Sequence, residues 1–138
     1  MRTAATRRSA SARRRSQDGS AIADFALVSV VLVPLFFGIL QLALVWHVKT
    51  TLTSAASEGA RYGAAYDRTT LDGQRRTSAV IDETFGTDFR DEVTASDSTV
   101  SGQPGVEVDV SAQVPMLGFW GPTITVEVTG HAVKEVVP

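Results

Sequence analysis

The pattern of apolar and polar positions divides the chain into four stretches. Residues 1–18 are polar and basic. Phe25 to Trp46 reads FALVSVVLVPLFFGILQLALVW, 22 residues in which only Ser29 and Gln41 are polar. As a helix rising about 1.5 Å per residue this run spans roughly 33 Å, the thickness of a hydrocarbon core. From Lys49 to about Tyr66 the apolar and small residues Leu52, Ala55, Ala56, Gly59, Tyr62, Gly63 and Tyr66 recur three and four apart, which predicts one stripe of a continuing helix. The first helix is therefore expected to be one long element, membrane-bound at its start and amphipathic at its end.

The remainder changes period. Leu71 to Phe85 carries Ala79, Val80, Ile81 and Phe85 and ends at Gly86, the pattern of a short stopped helix, although Gly73 weakens its front half. Val93–Val100 is polar but β-permissive. Val106–Val114 (VEVDVSAQV) and Ile124–Val128 (ITVEV) alternate strictly, with an extension of the second to Val136 suggested by the pattern, and SGQPG at 101–105 is a turn between strands. The prediction is an α+β chain: a long N-terminal helix packed on a small C-terminal antiparallel sheet of three strands. The loop 115–122, PMLGFWGP, offers Met116, Leu117, Phe119 and Trp120 to a partner, to the membrane surface or to the underside of the sheet.

Charge sharpens this division. Residues 1–18 hold six Arg against Asp18, a balance of +5, whereas 50–138 hold six basic and thirteen acidic residues, a balance of −7. Residues 25–48 hold no Asp, Glu, Lys or Arg. The positive-inside rule then sets the basic head in the cytoplasm and the acidic remainder outside. Three segments are expected: a basic leader over 1–19 whose composition predicts disorder, a transmembrane helix over 20–48 including Phe25, Pro34 and Trp46, and an extracytoplasmic α+β domain over 49–138. Pro34 removes one helical hydrogen bond and is expected to kink the span. A buried core helix should be shorter and amphipathic, and a cleavable secretory signal should have a shorter apolar run. The Arg cluster reads as topogenic, in contact with anionic lipid, rather than as a nucleic-acid site.

Chemistry is sparse. The chain has no Cys and only two His, His47 and His131, far apart. It has no HExxH, phosphate loop or GxSxG pattern, so no catalytic residue, metal site, cofactor or small-molecule substrate is expected. His131 reads as a solvent-facing strand residue. Ala55, Gly59 and Gly63, spaced by four, let another element approach closely, whether the chain's own core or a separate partner. Ala64 is taken to lie off that contact, and Glu58 and Arg61 are close enough on the helix to pair.

The order of these features resembles the type IV pilin-like proteins. GSAIADFALVSVVLVPLFFGILQLALVW followed by LTSAASEGARYGAA is similar to the TadE-like family of tight-adherence (Flp pilus) assembly systems. That family reads Gly-Ser-small-x-x-Glu-Phe-Ala before an apolar run containing Pro, and then Ala-x-x-Glu-Gly-Ala-Arg-Tyr. The match covers about residues 18–66, and Glu58-Gly59-Ala60-Arg61-Tyr62 is its most specific part. The resemblance implies a membrane-anchored minor pilin or pseudopilin of the bacterial cytoplasmic membrane. Its partners would be a prepilin peptidase, other pilin-like subunits and an inner-membrane assembly platform. Cleavage would follow Gly19 and leave Ser20 as the first mature residue. Asp24 would stand fifth, where the family carries Glu, and would pair with the new terminal amine. An anchored or secreted binding module unrelated to pili is the alternative.

Overall fold

The computed structural model describes residues 6–87, 89–116 and 122–135. Two helices precede three strands: α1 Thr6–Ala64, α2 Thr70–Phe85, β1 Arg90–Val100, β2 Gln103–Pro115 and β3 Thr123–Val133. This is the α+β arrangement expected, with the long apolar helix first and an antiparallel sheet last. Leu117, Phe119 and Trp120 of the 115–122 loop, and the suggested extension of the last strand to Val136, lie outside the described residues.

The chain forms two compact units, Met1–Leu40 and Gln41–Pro138. The first contains the N-terminal part of α1. α1 begins at Thr6, so it takes in most of the Arg-rich segment that composition predicts to be disordered. Pro34 lies inside α1. It has no N–H, so the carbonyl of Val30 lacks its usual helical donor.

The second unit begins with the last part of the apolar run. Gln41 donates a side-chain hydrogen bond to the Pro115 carbonyl at 3.2 Å. Val48, Leu52, Ala55, Ala56, Ala60 and Ala64 form the buried face of α1, with Val45 packed against it. Beyond the apolar run Thr50, Thr51 and Thr53 direct their hydroxyls to the carbonyls of Trp46, His47 and Lys49, each four residues back. These bonds satisfy the hydroxyls within the helix, so a threonine-rich stretch stays helical.

The sheet has the order β1-β2-β3, with β1 pairing β2 and β2 pairing β3, both antiparallel. Period-two alternation sends Val106, Val108, Val110, Ala112 and Val114 of β2 into the core with Val126 and Val128 of β3 and Val93 of β1. The turn at Ser101 and Gly102 uses positive φ at both positions and starts β2 at Gln103, so the expected turn at 101–105 is tighter than its sequence suggested. The ambiguous 93–100 stretch is a strand because β2 supplies a full ladder of partners, Thr94 opposite Asp109 and Ser96 opposite Glu107 among them. On the outer face His131 is exposed as expected, with Nδ1 3.3 Å from Glu107.

α2 opens with a capping box. The Thr69 side chain accepts from the Asp72 N–H, and the Asp72 carboxylate accepts from the Thr69 N–H and hydroxyl. The hydrogen bonds from Thr69 hold the Asp72 carboxyl below the ordinary carboxylate range. The helix stops at Gly86, whose φ of 94° suits glycine.

Candidate functional site

Two parts of α1 carry the residues singled out in the sequence, and they are built differently. The first is the apolar stretch. Gly19 lies within the helix, and Ser20, Asp24 and Phe25 follow it with exposed side chains. Ser20 and Asp24 are four residues apart and share a helix face. From Ala21 to Leu40 every residue is exposed except the half-buried Ser29. Among the described residues, α1 supplies one helix long and apolar enough to cross a membrane, and its most apolar window has no buried residue. A helix apolar on all sides over this length meets the requirement for crossing a hydrocarbon core.

The second part runs from Ala55 to Gly63. Here the spacing by four resolves into two adjacent faces. Ala55, Gly59 and Gly63 face α2. A methyl group at Gly59 would fall 1.7 Å from the Thr77 hydroxyl oxygen and 2.7 Å from the Gly73 carbonyl. One at Gly63 would come within 3.1 Å of the Thr69 carbonyl and 3.2 Å of Gly73 Cα. Gly73, which argued against a helix in the sequence, is needed for the same reason: a methyl there would sit 2.6 Å from the Gly59 carbonyl. Thr77, fully buried, lies over Gly59 with its hydroxyl 3.1 Å from the Gly73 carbonyl and 3.4 Å from that of Ala55. The close approach therefore serves the chain's own second helix.

Ala56, Ala60 and Ala64 form the other face, toward the sheet. A methyl at Gly130 of β3 would lie 2.4–2.6 Å from the backbone of Ala56 and Ser57, so the helix backbone rests on the strand there. Ala64, expected off the contact, is only 4% exposed, and its carbonyl accepts from the Glu135 N–H at 3.0 Å.

Three further expectations change. Tyr62 and Tyr66 do not continue the buried stripe: they are 37% and 71% exposed, and the Arg68 guanidinium stacks 4.7 Å from the Tyr62 ring centroid. Tyr62 lies one turn from the exposed Glu58, at the margin of the buried stripe, and Tyr66 lies beyond the end of α1 at Ala64. Glu58 pairs with Arg76 of α2 rather than with Arg61. Arg76 Nε and Nη2 both donate to its Oε1, at 2.8 and 2.5 Å. That contact raises the Arg76 pKa further above its already high value. The glycine crossing brings α2 close enough to outcompete a pair within one helix. The outward face of α1 from Trp46 to Arg61, Glu58 included, lines an open groove of about 710 Å³. Among the described residues no group of three His, Asp or Glu is arranged to hold a metal.

The Glu58–Gly63 motif thus combines two kinds of residue. Its small members, Gly59, Ala60 and Gly63, let α2 and the sheet reach the helix backbone. Its large members, Glu58, Arg61 and Tyr62, stay outside. The signal missed in the sequence was Thr77, a buried polar residue whose partner carbonyls become visible only once the helices cross.

Comparison with known proteins agrees with the N-terminal half of this description. No curated protein and no solved structure matches the chain. One family model does, over residues 19–61, from the glycine at the head of the apolar stretch to Arg61 of the motif. It leaves α2 and the sheet outside. Over that stretch the chain is similar to the family described as TadE-like protein, a similarity that suggests a component associated with a tight-adherence pilus.

Proposed function

We propose that the protein is a membrane-anchored minor pilin or pseudopilin of a tight-adherence assembly or secretion apparatus. The observation that carries this reading is the coincidence, within residues 19–61, of the family match with a helix apolar on all sides that runs into a folded domain. In this reading the Arg-rich segment lies in the cytoplasm, the span occupies the cytoplasmic membrane, and the acidic α+β domain lies outside. The charges of +5 and −7 on either side of the span support that orientation. A prepilin peptidase cuts after Gly19, and the mature subunit meets other pilin-like subunits and the assembly platform. Its role is structural rather than catalytic.

Asp24 has a specific part here. Cleavage creates an amine at Ser20 whose ordinary pKa is about 7.7–8.0, so it is largely protonated at neutral pH. A charge at the head of an apolar helix is costly unless paired. A carboxylate one helical turn on, or on a neighbouring subunit, neutralises it. Asp is one methylene shorter than the Glu that the family carries, so Asp24→Glu should assemble at least as well as the wild type. The test is piliation of cells carrying wild-type, Asp24→Ala or Asp24→Glu protein, with Edman sequencing of the membrane-purified subunit. Loss of pili with Asp24→Ala and an N-terminus at Ser20 are expected. Pili made by a subunit that keeps its Arg-rich segment would exclude processing, and normal piliation by Asp24→Ala would exclude the pairing.

A further inference from the structure

The apolar run is longer than the part of it that is free to face lipid. Gln41 belongs to the folded domain through its bond to Pro115, and Val45 and Val48 are packed in or against the core. The 20 residues 21–40, exposed but for Ser29, already make a helix of about 30 Å. No residue separates this stretch from the domain.

The end of the domain that follows is unusual in its chemistry. Three segments meet there: 41–48 of α1, the end of β2 and the start of β3. Gln41 holds Pro115, Pro115 pairs with Thr123, and Met116 N–H bonds the Pro122 carbonyl at 3.1 Å. Residues 41–48, 112–116 and 122–126 contain no Asp, Glu, Lys or Arg, although residues 50–138 carry nineteen such charges. The nearest charged positions are Lys49 on α1, Asp109 on β2, Glu127 on β3, and Arg90, Asp91 and Glu92 at the start of β1, where Arg90 stands opposite Ala112 and Glu92 opposite Ser111. Large apolar side chains nevertheless remain outside: Leu42 is 69% exposed, Trp46 73% and Ile124 36%. At a lipid–water interface tryptophan is enriched, and large apolar side chains such as leucine are buried at the headgroup–acyl boundary.

We infer that this end of the domain is seated in the headgroup zone of the bilayer that α1 crosses, with Leu42, Trp46 and Ile124 against lipid. The hydrocarbon span is then residues 21–40, and the outer boundary lies at Gln41 rather than at Trp46. The occupant is lipid because the uncharged end continues directly from the lipid-exposed span. This inference rests on the membrane-anchor part of the proposed function and is independent of the pilus part.

The chain has no cysteine, so single-cysteine variants of the full-length protein label at one place. An environment-sensitive fluorophore is attached to Leu42→Cys, Ile124→Cys and Thr125→Cys, and to Thr99→Cys near the opposite turn of the sheet. The proteins are reconstituted in phosphatidylcholine–phosphatidylglycerol vesicles carrying a nitroxide near the headgroups or deep in the acyl chains. Labels at 42, 124 and 125 should be quenched by the shallow nitroxide at least about twofold more than the label at 99. Val30→Cys should respond to the deep nitroxide. Quenching at 124 and 125 no stronger than at 99, with Val30 deeply quenched, would overturn the seating and leave the anchor intact. Absence of deep quenching at Val30 would overturn the anchor and this inference together. Thr125 is exposed on the same strand, so its label reads the same position if replacing Ile124 disturbs the strand.

Discussion

Residues 21–40 and 41–64 lie in one helix and solve opposite problems. In the first stretch most side chains are large and apolar, all but that of Ser29 are exposed, and Gly38 has nothing within 4 Å of where its Cβ would be. In the second the buried side chains are mostly alanine and glycine, and a single added methyl collides with α2 or the sheet. Lipid is a fluid partner and accepts any bulky apolar surface. A folded neighbour is fixed in place, and where it comes to within backbone contact only small residues fit. The same helical spacing thus reads as anchor or as packing face according to side-chain size, not hydrophobicity alone.

That contrast is most sharply tested by one chemical change made twice. Gly59→Leu should abolish domain folding, whereas Gly38→Leu should leave it intact, as read by thermal unfolding of the full chain in detergent by circular dichroism. Gly130→Ala should behave like a milder Gly59→Leu and lower stability by about 1–3 kcal/mol or more, since its neighbour is the helix backbone. Equal unfolding temperatures for the Gly38 and Gly59 variants would remove the distinction.

Next in size is Leu52→Ala, which empties a fully buried site and should cost about 2–5 kcal/mol in chemical denaturation. Leu42→Ala, on an exposed side chain, should leave domain stability nearly unchanged. A loss at position 42 as large as at 52 would show that the domain's core reaches around the helix.

Smaller effects belong to α2. Thr69→Ala removes the helix cap and should cost about 1 kcal/mol by the same measurement. Asp72 is held below its ordinary pKa in the folded state, so its contribution is present above the unfolded value of about 3.9 and is lost as pH falls through the folded one. Acid titration of stability should therefore be shallower in Asp72→Asn than in wild type. Least of all, Arg76→Ala should have a slight effect that high salt diminishes, because both partners are about half exposed.

The sequence made the elements legible where period and composition agreed. The apolar run, the alternating strands and the stop at Gly86 all follow from patterns within a few residues. The contacts between elements were less legible. The spacing of Ala55, Gly59 and Gly63 announced a close approach but not what approached, because the answer lies in Gly73 and Thr77 on another helix. Gly73 even argued the wrong way, since a glycine that weakens a helix in isolation is what lets two helices touch. Spacing alone puts Tyr62 on the buried stripe, whereas it sits at the margin of that stripe, one turn from the exposed Glu58. Glu58 offered Arg61 as the nearest base in sequence, while the fold brings Arg76 nearer in space.

The hydrogen bond from Glu135 to the Ala64 carbonyl ties the end of the sheet to the end of α1, 71 residues earlier. During synthesis the helix emerges long before β3, so its alanine and leucine face waits for a cover that arrives last. In that interval the face formed by Leu52, Ala56 and Ala60 is open to any apolar surface nearby, and aggregation competes with closure. The local α1–α2 crossing, complete once Thr77 has been made, shields only the glycine side. The core of the domain is therefore complete only when the last strand is in place.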